Sequence, residues 1–314
     1  MHYVKLILSI IAATCLASCG NAGETVQLNT EAEGKPAIWK VTGPKADDPK
    51  SEKSESVASG TAYLFGTIHT LPKNIEWSTP ILEAAIKDSD ELIIEVVGLE
   101  DKKNSAKIFS ELALSPDLPT VEARIKPSLH DELDRVLDES NIAEITLNRM
   151  ESWAAALSLA TAQTGKLGLS SDEGVEKKLI AKFDALKKPV SGLETIEQQL
   201  GYFDKLPESD QREMLTSVLE ESGDTREAFQ ELFDAWYTGD IIKLEKLTEG
   251  GILEKPEIRE RILVARNKDW DEQLHKKLKK PGTLFVAVGA AHLVGLDAVQ
   301  LMLEKRGYSV QKIQ

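Results

Sequence analysis

Two histidines follow apolar segments of the same form at opposite ends of the chain. Thr61–His69 reads Thr-Ala-Tyr-Leu-Phe-Gly-Thr-Ile-His, and Thr283–His292 reads Thr-Leu-Phe-Val-Ala-Val-Gly-Ala-Ala-His, so each ends in Gly-x-x-His. We expect each apolar run to be a buried strand whose glycine permits a tight turn at its carboxyl end, where open α/β sheets bind their ligands. Imidazoles at such positions coordinate transition metals or transfer protons near neutral pH.

A third candidate, Glu95, lies near the end of the apolar segment Glu91–Val97. The segment is almost continuously apolar, as in a strand covered on both faces, and an ionised carboxylate there needs a partner or a metal. The alternative is that Glu95 faces solvent at the edge of the sheet. If it faces inward, His69, His292 and Glu95 provide ligands for a divalent ion, for which we expect manganese, cobalt or zinc.

Arg266 and Asn267 belong to the longest predicted helix, Pro256–Lys279. Arg266 falls in the middle of the apolar side of that helix. A buried guanidinium needs a carboxylate or a substrate oxyanion beside it. One interpretation is an ion pair with Glu95 or Glu194 that only stabilises the fold, and the other is a catalytic role.

Glu194 and Gln198 are secondary candidates because they follow the predicted strand Pro189–Leu193. Side chains at the end of such a strand can reach the same edge of the sheet. The simpler interpretation, which we favour for Glu194, is an acidic residue in the first turn of the helix Glu194–Phe203, where the helix dipole stabilises it.

The order of predicted elements indicates one α/β domain over residues 37–314, with a central, largely parallel or mixed sheet flanked by helices. A mid-chain helical insertion is expected at about residues 125–255. The chain has 314 residues, of which 41% are hydrophobic, so a sizeable core is expected. Its formal net charge of −14 argues against a nucleic-acid partner, which requires a basic face.

Residues 1–18 are predicted to be a targeting segment rather than part of the fold. The apolar run Leu6–Leu16 leads into Leu-Ala-Ser-Cys, which ends at Cys19 and resembles a bacterial lipobox, in which the cysteine is lipidated. A plain secretory signal peptide is the alternative. Lipidation implies a tether at residues 19–36. Because Gly20, and not aspartate, follows the cysteine, we expect a cell-envelope, outer-membrane lipoprotein that faces the periplasm.

Five motifs occur along the chain in a specific order. They are Tyr-Leu-Phe-Gly-Thr-Ile-His, Glu-Leu-Ile-Ile-Glu-Val, Pro-Val-Ser-Gly-Leu-Glu-Thr-x-Glu-Gln, Arg-Asn-x-x-Trp and Phe-Val-Ala-Val-Gly-Ala-Ala-His-Leu-x-Gly. Their combination resembles the TraB/PrgY/GumN family, which is similar to the Tiki metalloproteases and more distantly to EreA/ChaN-like proteins. The resemblance implies an EreA/ChaN-like α/β fold with both Gly-x-x-His motifs at one site. By matching position, it carries over His69, Glu95, Arg266, Asn267 and His292.

Tiki-like members are divalent-metal-dependent peptidases, so the resemblance implies a metal-dependent hydrolase acting on a peptide or protein. In that hypothesis His69, His292 and Glu95 hold the ion, while Glu95, Arg266 and Asn267 take part in catalysis. The alternative is a lipid-anchored protein that binds a peptide, haem or metal without turnover. A third interpretation is an inert scaffold that retains the polar side chains. The sequence does not specify an oligomeric state.

Overall fold

The computed structural model describes residues 28, 30, 32–44, 60–223 and 225–314. The predicted targeting segment, residues 1–18, and the lipidation of Cys19 lie outside the described residues, as does most of the predicted tether, 19–36. Within the described ranges, no helix is both long enough and apolar enough to cross a membrane.

A single mixed sheet forms the centre of the described part of the chain, which confirms the predicted α/β class. Its strands are β1 (Ile38–Pro44), β2 (Thr61–Thr67), β3 (Glu91–Val96), β4 (Val190–Glu194), β5 (Thr283–Gly289) and β6 (Tyr308–Lys312). Their spatial order is β4-β3-β5-β2-β1-β6. The first four in that order are parallel, and β1 runs antiparallel to both β2 and β6.

The helices of the described residues are α1 (Pro80–Asp88), α2 (Lys102–Ala113), α3 (His130–Ser140), α4 (Glu144–Leu147), α5 (Ser152–Lys166), α6 (Val175–Ala185), α7 (Ile196–Asp204), α8 (Glu208–Glu220), α9 (Thr225–Tyr237), α10 (Ile241–Thr248), α11 (Pro256–Arg259), α12 (Ala265–Leu278) and α13 (Val299–Lys305). The prediction of one regular helix over Pro256–Lys279 is wrong in one respect. A π-helical turn, Glu260–Val264, separates α11 from α12. Such turns shift the direction of the following side chains and are frequent at functional sites.

Side chains of the central strands alternate between the two faces of the sheet. Tyr63 and Phe65 pack with α1 and α6 on one face, whereas Ala62 and Leu64 pack with α12 on the other. The connection from β2 to β3 through α1 and the return from β4 to β5 through α12 run in opposite directions along the sheet. They lie on opposite faces, as right-handed crossovers require. The carboxyl ends of β2, β3, β4 and β5 therefore share one edge.

The helices that extend beyond the sheet form a further core of their own. Trp153 of α5 stacks on Phe203 of α7 with ring centroids 6.3 Å apart and meets Phe109 of α2 edge-on at 5.8 Å. The strand expected at Pro189–Leu193, within the region of the predicted helical insertion at about 125–255, is β4, and it pairs with β3 as the outermost strand of the sheet. This pairing matters for the site, because it places Glu194, the last residue of β4, beside the carboxyl end of β3.

Candidate functional site

Gly289, the last residue of β5, marks the point where the predicted site residues meet. A Cβ atom placed on Gly289 would lie 3.0 Å from Oε1 of Glu95, 3.6 Å from Cδ2 of His292 and 3.6 Å from Nε2 of His69. Because both distances are measured from one point, Cδ2 of His292 and Nε2 of His69 are separated by at most twice 3.6 Å. The two histidines lie just after β2 and β5, which pair in parallel with Thr67 opposite Gly289.

The two motif glycines serve a different purpose from the one expected. Neither has a positive φ, so neither is required for a tight turn. Each is required for close approach, because a Cβ on Gly66 would lie 3.1 Å from Cα of Ala290, and one on Gly289 would press on the Glu95 carboxylate. Glycine thus lets the two loops and the carboxylate occupy one small volume.

Glu95 faces the interior, and the alternative of a solvent-facing side chain is wrong, since the residue is only 6% exposed. Its Oε1 accepts from the backbone N–H of Gly289 at 2.7 Å, and its Oε2 accepts from Nη2 of Arg266 at 2.7 Å and Nε2 of Gln199 at 3.3 Å. Burial alone would raise the pKa of Glu95. The charge of Arg266, which is the largest opposing effect, together with the two neighbouring histidines and the Gly289 N–H, instead lowers this pKa to about 2. The carboxylate is therefore ionised.

Glu194 is the second carboxylate beside Arg266, and our preferred interpretation of it as a helix-dipole acid is wrong. It ends β4 and is 4% exposed. Nε and Nη2 of Arg266 donate to its two oxygens at 2.8 and 3.0 Å, and Nε1 of Trp270 donates to Oε1 at 2.8 Å. Burial raises the pKa of Glu194 despite these donors, because one guanidinium is shared with Glu95.

Asn267 and Arg266 contact opposite nitrogens of the His292 ring. Oδ1 of Asn267 lies 2.5 Å from Nδ1, and Nη1 of Arg266 lies 3.3 Å from Nε2. The ring also packs on Trp270 with centroids 4.3 Å apart. Burial, then the Arg266 charge, lowers the pKa of His292 to about 3, so the ring is neutral.

His69 has a carboxylate partner that the sequence analysis did not single out. Oε1 of Glu176, in the first turn of α6, lies 2.6 Å from Nδ1 of His69 and also accepts from the hydroxyl of Thr67. Burial would lower the pKa of His69, but the Glu176 carboxylate more than offsets it, and the pKa rises to about 8. The sequence signal was weak, because an acidic residue in a first helical turn is common on solvated surfaces.

Gln198 lies apart from the cluster. It is exposed, and its Oε1 accepts from the backbone N–H of Thr195 at 2.8 Å in a capping box that starts α7. The neighbouring Gln199 is buried and reaches Glu95 instead. Of the predicted side chains, the structure thus brings together His69, Glu95, Glu194, Arg266, Asn267 and His292.

The side chains of the cluster include the kinds of donor that bind a divalent ion. Within the described part of the chain, no group of three or more His, Cys, Asp and Glu side chains has donors arranged to hold an ion. The kind of donor nevertheless fits: each ring bonds through Nδ1 to an oxygen, which leaves Nε2 for a ligand. Nε2 of His292 lies 3.8 Å from Oε1 of Glu95. Arg266 Nη1 competes for that nitrogen.

Comparison with known proteins agrees with this arrangement of motifs. The family model described as TraB/PrgY/gumN family matches residues 53–312. An uncharacterized protein of Treponema pallidum (strain Nichols) is 22% identical over 287 residues, which cover 86% of this chain and 80% of the relative. No solved structure matches the chain significantly. The family match includes every strand of the sheet except β1 and every residue of the cluster, and the chain therefore belongs to the TraB/PrgY/gumN family.

Proposed function

We propose that the cluster around Gly289 is the catalytic centre of a divalent-metal-dependent hydrolase, and that its substrate is a peptide or protein. The observation that carries the proposal is the convergence of His69, His292 and Glu95 at the carboxyl ends of parallel strands, with Nδ1 of each ring bonded to an oxygen. That arrangement leaves Nε2 of each ring and one carboxylate as ligand atoms. Because the pKa of His69 rises to about 8, an ion bound there would displace the proton that this ring carries at lower pH. The choice of a peptide rests on the motif resemblance to the Tiki metalloproteases.

His69, His292 and Glu95 would hold the ion, for which manganese, cobalt and zinc are the candidates. When bound, such an ion lowers the pKa of a coordinated water and polarises the carbonyl to be cleaved. Glu95 remains ionised at any working pH, because its pKa is held near 2. His292 remains neutral, because its pKa is held near 3. Since Oδ1 of Asn267 faces Nδ1, the proton lies on Nδ1 and the lone pair on Nε2.

Arg266 has two tasks in this proposal. It holds the Glu95 carboxylate through Nη2 at 2.7 Å, and Nη1 is directed at the centre beside His292. A guanidinium that is 1% exposed acts with little screening by water, so it would stabilise negative charge that develops on a substrate oxygen. Asn267 orients His292 and is a positioning residue.

The burial of the cluster favours a second candidate function. His69, Glu95 and His292 are 7%, 6% and 2% exposed, which suits retention of a ligand better than passage of a polypeptide. In this alternative the chain binds a peptide, haem or metal without turnover. In both proposals we place the protein in the cell envelope, attached through lipidated Cys19 to the outer membrane on its periplasmic side.

The test compares purified full-length chain with His69→Ala and His292→Ala, and with His275→Ala as the matched control. His275 contacts Tyr308 at 2.9 Å outside the cluster. Each protein is stripped with chelator and reloaded with manganese, cobalt or zinc. Binding is then measured by calorimetry, and cleavage by mass spectrometry of a peptide library.

We expect metal-dependent cleavage by the wild type and by His275→Ala, and none by the two cluster variants, with circular dichroism confirming that each is folded. Binding without cleavage by the wild type would favour the binding protein. If the wild type neither binds an ion nor cleaves peptides, and the cluster variants differ only in thermal stability, the hydrolase proposal is wrong.

A further inference from the structure

The segment before α6 lies directly against the loop that carries His69. Leu71 and Ser170 exchange backbone hydrogen bonds at 3.3 and 3.1 Å, and the N–H of Val175 donates to the carbonyl of Ile68 at 3.1 Å. These bonds attach the start of α6 to both sides of His69. The relative position of the histidine and the helix is therefore set by the backbone.

Gly174, at the start of α6, allows this approach. A Cβ atom at that position would lie 2.2 Å from the carbonyl oxygen of His69, a distance that no real contact reaches. Its φ is −55°, so backbone strain does not require glycine there. The absence of a side chain is what lets α6 start so near to His69. Two residues later, the same helix presents Glu176.

Glu176 contacts His69 and the strand before it with a single oxygen. Its Oε1 lies 2.6 Å from Nδ1 of His69 and accepts from the hydroxyl of Thr67, the last residue of β2. The histidine is 7% exposed, and the carboxylate side chain is 16% exposed. Competition from water at this bond is therefore limited.

An ionised carboxylate only accepts hydrogen bonds, so the ring nitrogen that faces it must carry the proton. The partner of one imidazole nitrogen thereby decides the state of the other. We propose that Glu176, placed by Gly174, is a positioning residue that fixes neutral His69 as the Nδ1–H tautomer and directs the lone pair of Nε2 toward Gly289 and Glu95. The use of that lone pair rests on the hydrolase proposed above, whereas the tautomer itself does not.

The tautomer proposed for His69 is the opposite of the one that free histidine prefers. Free histidine in water carries its proton mainly on Nε2, so an Nδ1–H ring is the less common form and has to be imposed. It is observed through long-range ¹H–¹⁵N correlation spectra of protein labelled in the imidazole nitrogens. The measurement uses full-length, metal-free protein well above pH 8, where the ring is neutral. The His69 signal is assigned by its loss in His69→Gln.

We expect the wild type to show protonated Nδ1 and bare Nε2 at His69. Glu176→Gln keeps an accepting oxygen and should retain this tautomer, while Glu176→Ala should convert the ring to the Nε2–H form. Glu173→Ala is the matched control and should change nothing, because Glu173 pairs with Lys178 at 3.1 Å and not with His69.

A wild-type spectrum that shows protonated Nε2 at His69 would overturn the proposal. This outcome needs no variant, so the proposal can be tested even if Glu176→Ala does not fold. An unchanged tautomer in a folded Glu176→Ala protein would also overturn it. Failure of the hydrolase proposal would look different, since catalysis or ion binding would be absent while the Nδ1–H spectrum remained. If both proposals hold, Glu176→Ala should also weaken ion binding by about 10- to 100-fold.

Discussion

Asn267 fixes both the orientation and the tautomer of His292. Its amide nitrogen donates to the carbonyl oxygen of Asp297 at 2.8 Å and to that of His292 at 3.5 Å, so its Oδ1 must be the atom facing Nδ1 of the ring at 2.5 Å. Nδ1 is consequently protonated, and the lone pair lies on Nε2, next to Nη1 of Arg266. Two successive residues of α12 thus control one imidazole.

Replacing Asn267 with Ala should release the His292 ring and leave the Asp297 carbonyl without its side-chain donor. We expect Asn267→Ala to lower the affinity for manganese by about 10- to 100-fold, the usual loss for a group that orients a metal ligand. The free energy of unfolding should fall by about 1–3 kcal/mol. Calorimetry and urea unfolding measure the two effects, with exposed Asn104→Ala as control. Unchanged affinity would show that the ring needs no such orientation.

Removing the Arg266 charge should be far more costly than removing an exposed one. Arg266→Met leaves Glu95 and Glu194 buried without their shared cation, which should lower the free energy of unfolding by about 3–5 kcal/mol. Arg266→Lys should recover only part of the loss, because an ammonium cannot form the paired contacts to Glu194. Lys107→Met, which breaks an exposed pair with Glu111, should change stability by less than about 0.5 kcal/mol.

The same ion cluster predicts non-additive behaviour. Once Arg266 is absent, converting Glu194 to Gln removes a buried charge, so the double variant Arg266→Met/Glu194→Gln should be more stable than the sum of the single losses predicts. Urea unfolding of the wild type and the three variants completes the cycle. Strictly additive losses in the free energy of unfolding would mean that Arg266 and Glu194 do not stabilise each other.

Stability should be greatest near pH 6.5 and decline on both sides. The pKa of His292 is 6.5 ordinarily and about 3 in the folded chain, so the unfolded chain binds the extra proton and stability falls as the pH drops below 6.5. Glu95, lowered from 4.5 to about 2, adds to this loss below pH 4.5. For His69 the sign is opposite: its pKa rises to about 8, so its contribution is complete below pH 6.5 and disappears as the pH rises through 8.

Urea midpoints between pH 4 and 9 should reveal these slopes, each at most about 1.4 kcal/mol per pH unit for one proton. His292→Gln should flatten the acid side between pH 6.5 and 4.5, and His69→Gln the alkaline side. A wild-type midpoint that stays constant from pH 6.5 to 8 would contradict the charged state assigned to His69.

Adding one methyl group at Gly289 should disturb the site more than the fold. The new Cβ would lie 3.0 Å from Oε1 of Glu95 and 3.6 Å from each imidazole, so Gly289→Ala should displace the carboxylate and lower ion affinity by at least tenfold. The control is Gly165→Ala in α5, where nothing lies within 4 Å. It should raise stability by about 0.5–1 kcal/mol, since alanine favours a helix. Equal affinities in the two variants would argue against the cluster as an ion site.

Much of the sheet and the edge that carries the site could be predicted, because both depend on patterns that are local in sequence. The apolar runs that became β2, β3 and β5 have few polar interruptions, and the side chain that interrupts β3, Glu95, is the one that meets Arg266. Arg266 itself stood out because it breaks the apolar side of its helix. Glu95 and Arg266 are charged residues in otherwise apolar segments, and such an interruption can be recognised from the sequence alone.

The remaining features depend on tertiary contacts that no local pattern reveals. Glu176 follows a helix start, as many solvated acids do, and only its approach to Thr67 and His69 distinguishes it. Gln199 was missed because only its contact with Glu95 distinguishes it. Gln198 is different, since the Thr-x-x-Gln spacing that starts at Thr195 is a capping-box pattern, and this local signal was overlooked. The π-helical turn before Arg266 leaves no signature in the spacing of apolar residues.

The single cation shared by Glu95 and Glu194 has a consequence for evolution. A lineage that loses Arg266 alone must pass through a form with two buried, uncompensated acids, which selection for foldability would remove. In aligned homologues, arginine at this position should therefore occur together with both acids or be replaced together with them. Sequences that keep the acids but carry an apolar residue in place of the arginine should be very rare.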